Sequence, residues 1–150
     1  MIEKFCGGSI QVAAGVDGGL AEHAESLSRV VDEAMSELQL SRALDAIWDF
    51  IQRSNKYIED SKPWAVAKVD AAKVGGILYS LAEADRVVSV LISPFMPATA
   101  ERIQRQLGVF DGAPELRTSA RWGLLRPGTK VTKGQPLFPR YDVSSGPKVC

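Results

Sequence analysis

One histidine, His23, and two cysteines, Cys6 and Cys150, are all the imidazole and thiol that the 150 residues contain. The cysteines stand near opposite ends without metal-ligand spacing, so the pattern offers no zinc site. A Ser-His-Asp or Cys-His centre would have to use His23, which sits in an acidic amphipathic segment with no nucleophile motif beside it. Neither the G-x-x-x-x-G-K-[ST] phosphate loop nor the G-x-G-x-x-G fingerprint is present. No apolar run approaches the ~20 residues of a membrane span, and the first ten residues lack the basic start and apolar stretch of a signal peptide. The reading is a soluble, cytoplasmic chain in a reducing compartment, with no membrane partner and no catalytic constellation. Net charge is also missing: 18 basic residues balance 18 acidic ones, which argues against indiscriminate binding to nucleic acid.

That zero conceals an asymmetry. Residues 1–49 carry three basic and nine acidic side chains, so the remainder is net basic. Arg53, Lys56, Lys62, Lys68 and Lys73 outnumber Glu59, Asp60 and Asp70 in one local region. With 45% hydrophobic residues the chain can bury one core without disulfide or metal, and one domain is expected.

Residues 1–5 read as the end of a helix stopped by Gly7-Gly8. Gly15, Gly18 and Gly19 link it to an amphipathic helix, where Leu20, Ala24, Leu27, Val31, Ala34, Met35 and Leu38 recur at helical spacing. The opposite face, Glu22, Glu25, Asp32, Glu33 and Glu37, reads as solvated. Ser41 is the expected N-cap of the next helix, with Leu44, Ile47, Trp48, Ile51, Asn55 and Ile58 on one broad side and Trp48 in the core. From about Ala71 the series Val74, Leu78, Leu81, Ala82, Val88, Leu91 and Ile92 predicts the longest helix, ending before Pro94. Gly75-Gly76 within it marks either a closely packed neighbour or a join between two pieces. Pro97 starts a further helix through Ala100, Ile103 and Leu107, stopped by Gly108.

From Phe110 onward Gly112, Pro114, Pro127, Gly128, Gly134, Pro136 and Pro139 punctuate short apolar patches, and helices are expected to end. Trp122, Leu124, Leu125, Val131, Leu137 and Phe138 read as anchors of an arm, with a turn at Pro127-Gly128. The fold class is thus all-α, a helical bundle with an irregular C-terminal arm from about residue 110 and a loose tail over residues 143–150.

Chemistry concentrates at Asn55-Lys56-Tyr57-Ile58-Glu59-Asp60-Ser61-Lys62-Pro63-Trp64. Proline disfavours the helical region for the residue before it, so Lys62 is expected to be extended and Pro63 to open a new helix at its first position. Trp64 then lies on a first turn, with Lys56 and Lys62 near. Its ring either plugs a helix corner or offers a flat face to a nucleotide base, and the residues alone leave both readings open. Asn55 is placed to bond a neighbouring backbone, and Tyr57 to bury its ring while keeping a polar tip.

Asn55-Lys56-Tyr57-Ile58-Glu59, Lys62-Pro63-Trp64, Lys68, the long helix, Pro94-Phe95-Met96-Pro97 with Thr99-Ala100 and Leu107-Gly108, and Pro136-Leu137-Phe138-Pro139-Arg140 follow the order found in methionyl-tRNA synthetases. Over residues 1–142 the chain resembles the α-helical anticodon-binding domain of that family. The resemblance implies that Trp64 stacks on the first base of a CAU anticodon. Lys56, Lys62 and Lys68 are then candidate phosphate contacts, and Asn55, Tyr57 and Pro63 shape the corner. It also implies a parent ligase that joins methionine to its tRNA with ATP, the ATP lying in a catalytic domain that would be this segment's partner. The Arg140 region would reach back toward that domain. The segment departs from the family in lacking the upstream asparagine and arginine that read base edges. It also lacks the His-Ile-Gly-His and Lys-Met-Ser-Lys-Ser signatures, and Lys130-Val131-Thr132-Lys133 is not the latter. The rival readings are a helical docking module without RNA contact, and the equivalent domain of a synthetase for a branched aliphatic amino acid.

Overall fold

A computed structural model describes residues 1–11, 17–109 and 114–138. Gly15, Phe110, Gly112, Pro139, Arg140, Cys150 and the tail over 143–150, all named above, lie outside the described residues. The elements are α1 (Ile2–Cys6), α2 (Leu20–Ser36), α3 (Leu40–Ser61), α4 (Pro63–Val66), α5 (Ala71–Leu91), α6 (Pro97–Leu107) and α7 (Leu116–Ser119). The fold is all-α, with no sheet among the described residues; one isolated antiparallel bridge pairs Ser9 with Lys130.

Helix α5 is the axis of the bundle. From Val74 to Leu91 every residue except Asp85 is buried, as expected for a helix apolar on all sides. Asp70 caps it, accepting a 2.9 Å hydrogen bond from the Lys73 backbone N–H. The helix runs unbroken through Gly75-Gly76, and a Cβ on Gly75 would lie 3.0 Å from the Gln11 side chain. Of the two meanings open for those glycines, close packing is the one realised.

Helices α2 and α3 form an antiparallel pair over one side of α5. Leu20, Leu27 and Val31 meet Ile47 and Phe50, and the shared core continues through Val87, Val90 and Leu91 of α5. Each such side chain contributes about 1.5–3 kcal/mol by leaving water. The turn between α2 and α3 differs from the sequence expectation. Helix α2 stops at Ser36, and Leu38 takes a left-handed φ of 59° and is exposed rather than core-facing. Bonds from Gln39 N–H to the Ala34 carbonyl and from Leu38 N–H to the Met35 carbonyl close a Schellman turn there. Helix α3 accordingly begins at Leu40, with Gln39 rather than Ser41 at the cap and no side-chain cap bond.

Trp48 is also a correction. It is 48% exposed, because the buried side of α3 runs through Ala43, Ile47, Phe50 and Ser54 and leaves Trp48 facing away. A broad apolar side on a 22-residue helix spans more arc than one neighbour covers, and periodicity does not say which edge is covered.

The C-terminal arm contains α7, a one-turn helix where none was expected, and it is held mainly by polar groups. Glu83 and Arg86, 0% and 1% exposed, form a bidentate ion pair at 2.9 and 2.7 Å. Glu83 also accepts backbone N–H bonds from Gly123, Leu124 and Leu125 at 2.7, 3.0 and 3.0 Å. Arg86 donates to the carbonyls of Ser119 and Arg121. The acidic face of α2 takes part: Glu25 accepts from the Trp122 N–H and Asp32 pairs with Arg117. Among the expected anchors, Leu125 is buried, Trp122, Val131 and Leu137 are half-buried, and Leu124 and Phe138 are exposed. The arm then crosses the N-terminal segment, with Val131 N–H bonded to the Gly8 carbonyl, and ends on Arg102, which donates to the carbonyls of Pro136 and Leu137.

Candidate nucleic-acid interface

The corner between α3 and α4 is a single residue wide. Lys62 is the C-cap of α3 and the N-cap of α4, with φ 43° and ψ 59°, so it is left-handed and not extended as expected. Pro63 forbids continuation of the right-handed helix, and with no spare residue in the connection a left-handed turn is the geometry that reverses the chain at once. Such a conformation costs a non-glycine residue roughly 1–2 kcal/mol. Burial of Pro63 and packing of Val66 and Ala67 against Val74, Ile77 and Leu78 hold it in place.

Pro63 thus fixes α4 from below and Trp64 faces outward, 49% exposed. Lys62 and Lys68 are exposed on either side of it along the chain, and Asn55 is exposed on the last turns of α3. Asn55 and Lys56 point to different sides of α3. At 100° per residue Asn55 shares the face of Trp48, whereas Lys56 turns toward Arg53 and Asp60.

That second side opens into a cleft of about 550 Å³ between α2, α3, α4 and α5. Arg53, Lys56 and Tyr57 of α3, His23 of α2 and Lys73 of α5 line it, with Leu20, Val66 and Ile77 as apolar wall. Tyr57 is half-buried. The loop before α2 presses on its ring, for a Cβ on Gly18 would fall 2.5 Å from it, and Gly18 has φ 59°. Tyr57 hydrogen-bonds to Ser80, and its pKa is raised above 10.0, chiefly by burial and secondarily by the Asp17 carboxylate, with the Ser80 bond acting against them. Asn55, expected to bond a neighbouring backbone, is instead exposed.

Of the seven residues singled out in the sequence, the cleft brings together Lys56 and Tyr57. Trp64, Pro63, Lys62, Asn55 and Lys68 surround the corner but do not line it. Arg53 and Lys73 do line it and were counted above only as part of a basic region. The i, i+3 spacing of Arg53 and Lys56 is a signal that sequence carries; the approach of Lys73 from another helix is not. Among the described residues no cluster of three or more His, Cys, Asp or Glu could hold a metal ion. No helix among them is long and apolar enough to cross a membrane.

The family model described as the anticodon-binding domain of tRNA ligase matches residues 18–123. The methionine–tRNA ligase of Caldanaerobacter subterraneus is 41% identical over 95% of this chain, and that of Bacillus subtilis 38% identical over 95%. The chain spans only 23% and 22% of the length of these two relatives. The crystal structure of the free-state methionyl-tRNA synthetase of Mycobacterium tuberculosis superposes with a TM-score of 0.83 at 31% identity, covering 95% of this chain and 30% of that one.

Proposed function

Because the chain belongs to the anticodon-binding domains of tRNA ligases, we propose that it binds the anticodon loop of methionine tRNA, with Trp64 stacking on a CAU base. The observation that carries this reading is the outward ring of Trp64 on a one-turn helix anchored by the buried Pro63. An outward indole presents a stacking face, and base–aromatic stacking is worth about 1–3 kcal/mol. Lys62 and Lys68 contact phosphates on either side and Asn55 and Pro63 shape the corner, while Lys56, a further phosphate contact, and Tyr57 lie on the adjoining face of α3. Residues 1–142 form the binding domain in this reading, and residues 143–150 lie beyond it.

The parent protein is, on the same reading, a cytoplasmic methionine–tRNA ligase whose catalytic domain binds ATP. That domain is this segment's partner in the same reading. Every relative named above is a methionine–tRNA ligase, which favours this reading over a branched aliphatic synthetase.

Replacement of Trp64 tests the proposal. Trp64→Ala should raise the dissociation constant for a CAU anticodon hairpin about 5- to 140-fold, while the urea midpoint of unfolding changes little. Equal affinity, or a collapse of stability, would show that the ring packs a corner and binds no base. Affinity that does not fall with added salt would favour a docking module without RNA contact.

A further inference from the structure

Four arginines among the described residues have carboxylate partners: Arg42, Arg86, Arg105 and Arg117. The three long cations at the cleft behind the corner have none there, although Arg53, Lys56 and Lys73 converge on it from two helices. Asp60 is the one acidic residue in its wall and the Asp17 carboxylate faces its Tyr57, so the three cations outnumber the carboxylates there by one. Like charges that share a concavity repel one another, and an anion between them removes that cost. The walls suit a phosphodiester. Leu20, Val66 and Ile77 supply an apolar floor for sugar carbons, and the volume of about 550 Å³ falls in the range of small-ligand sites. Val66 of its wall lies two residues after Trp64, about 200° around α4, so the cleft and the ring flank the same short helix, about 10–12 Å across.

We infer that this cleft is a second RNA contact, in which Arg53, Lys56 and Lys73 seat the backbone phosphates of the strand whose base stacks on Trp64. The inference rests on the anticodon reading for the identity of the RNA, but its chemistry is separate. It supplies affinity and direction of the strand, and no choice of base.

The two contacts are distinguishable because they respond differently to salt and to sequence. Lys56→Gln combined with Lys73→Gln should lower the slope of log affinity against log salt by about 1.4, at about 0.7 per single-strand phosphate contact. The loss should be equal for a CAU hairpin and for one with an altered loop. Trp64→Ala should lower affinity and leave the slope unchanged, so failure of the stacking reading shows as a silent Trp64→Ala beside an altered slope in the lysine variant. Lys133→Gln, on the opposite arm, controls for charge loss alone. Restoring charge with Lys56→Arg and Lys73→Arg should restore the slope. An unchanged slope in the double glutamine variant, an equal fall in Lys133→Gln, or no hairpin binding by the folded chain would each overturn the inference.

Discussion

Replacing Glu83 by alanine should be the most damaging single change to this fold that leaves the α2–α3 core untouched. Its carboxylate is 0% exposed and accepts five hydrogen bonds, two from Arg86 and three from the backbone of residues 123–125. Removing it leaves the Arg86 charge buried without a counterion, a change that costs roughly 3–5 kcal/mol. The arm can recover part of that by lifting its N–H groups into water, so a loss of about 4 kcal/mol is expected. Against a total stability of about 5–15 kcal/mol this is severe. It corresponds to a fall in Tm of about 8–16 °C at about 2–4 °C per kcal/mol for a chain of this size. Urea unfolding gives the free energy, and hydrogen exchange at the amides of 123–125 reports the arm. Replacing both Glu83 and Arg86 by leucine sharpens the test. Buried pairs exchanged for apolar residues often lose nothing, but this pair's remaining bonds are to backbone groups that leucine cannot satisfy. The double variant should therefore also be destabilised. A loss under about 1 kcal/mol in Glu83→Ala, retained protection of those amides, or a leucine pair as stable as the parent would refute the reasoning.

Two further perturbations separate surface from core. Trp48→Ala should cost about 1 kcal/mol or less in urea unfolding, since half of the ring is already in water, whereas a core tryptophan would cost about 3–5 kcal/mol. A loss in the larger range would contradict the outward placement of Trp48. Asp85 lines an apolar groove together with Glu3, Lys4 and Lys133, and desolvation of its carboxyl there pushes its pKa from 3.8 to about 6. The folded chain thus holds this proton more tightly than the unfolded one, so stability falls as pH rises from about 4 to about 6 and the cost persists above. The shift would be about 3 kcal/mol if fully realised, but water reaches the side chain in the open groove, which reduces it to about 1 kcal/mol. Asp85→Asn should raise Tm by about 2–4 °C at pH 7.5 and leave it unchanged at pH 4. An equal gain at both values would mean that charge is not the cause.

The helices before residue 110 were legible because each is marked locally, whereas α7 was not. Pro63 and Pro97 open helices, Gly108 closes one with φ 68°, and the apolar series of α2 and α5 fall on the buried positions. The corner, with Pro63 under Trp64, was also written in the chain, since proline at the first helical position is a rule about one residue. Where the sequence misled, a local preference was overridden by a neighbour. Lys62 turns left-handed because α3 and α4 share it, Leu38 does so to close a Schellman turn, and Trp48 is exposed because α2 and α5 cover a different arc of α3.

The polar staple of Glu83 and Arg86 carries no sequence signal beyond an i, i+3 spacing that most surface helices also show. The cleft is similar: Arg53 and Lys56 share a face on one helix, but Lys73 joins them only once α5 packs against α3. The sequence by itself determined which of the longer segments are helices and put an aromatic ring on the first turn after a proline. Tertiary structure decided which side of each helix meets water and which charges meet each other. Helical periodicity is a property of one segment, whereas burial and charge pairing belong to whichever segment happens to lie against it.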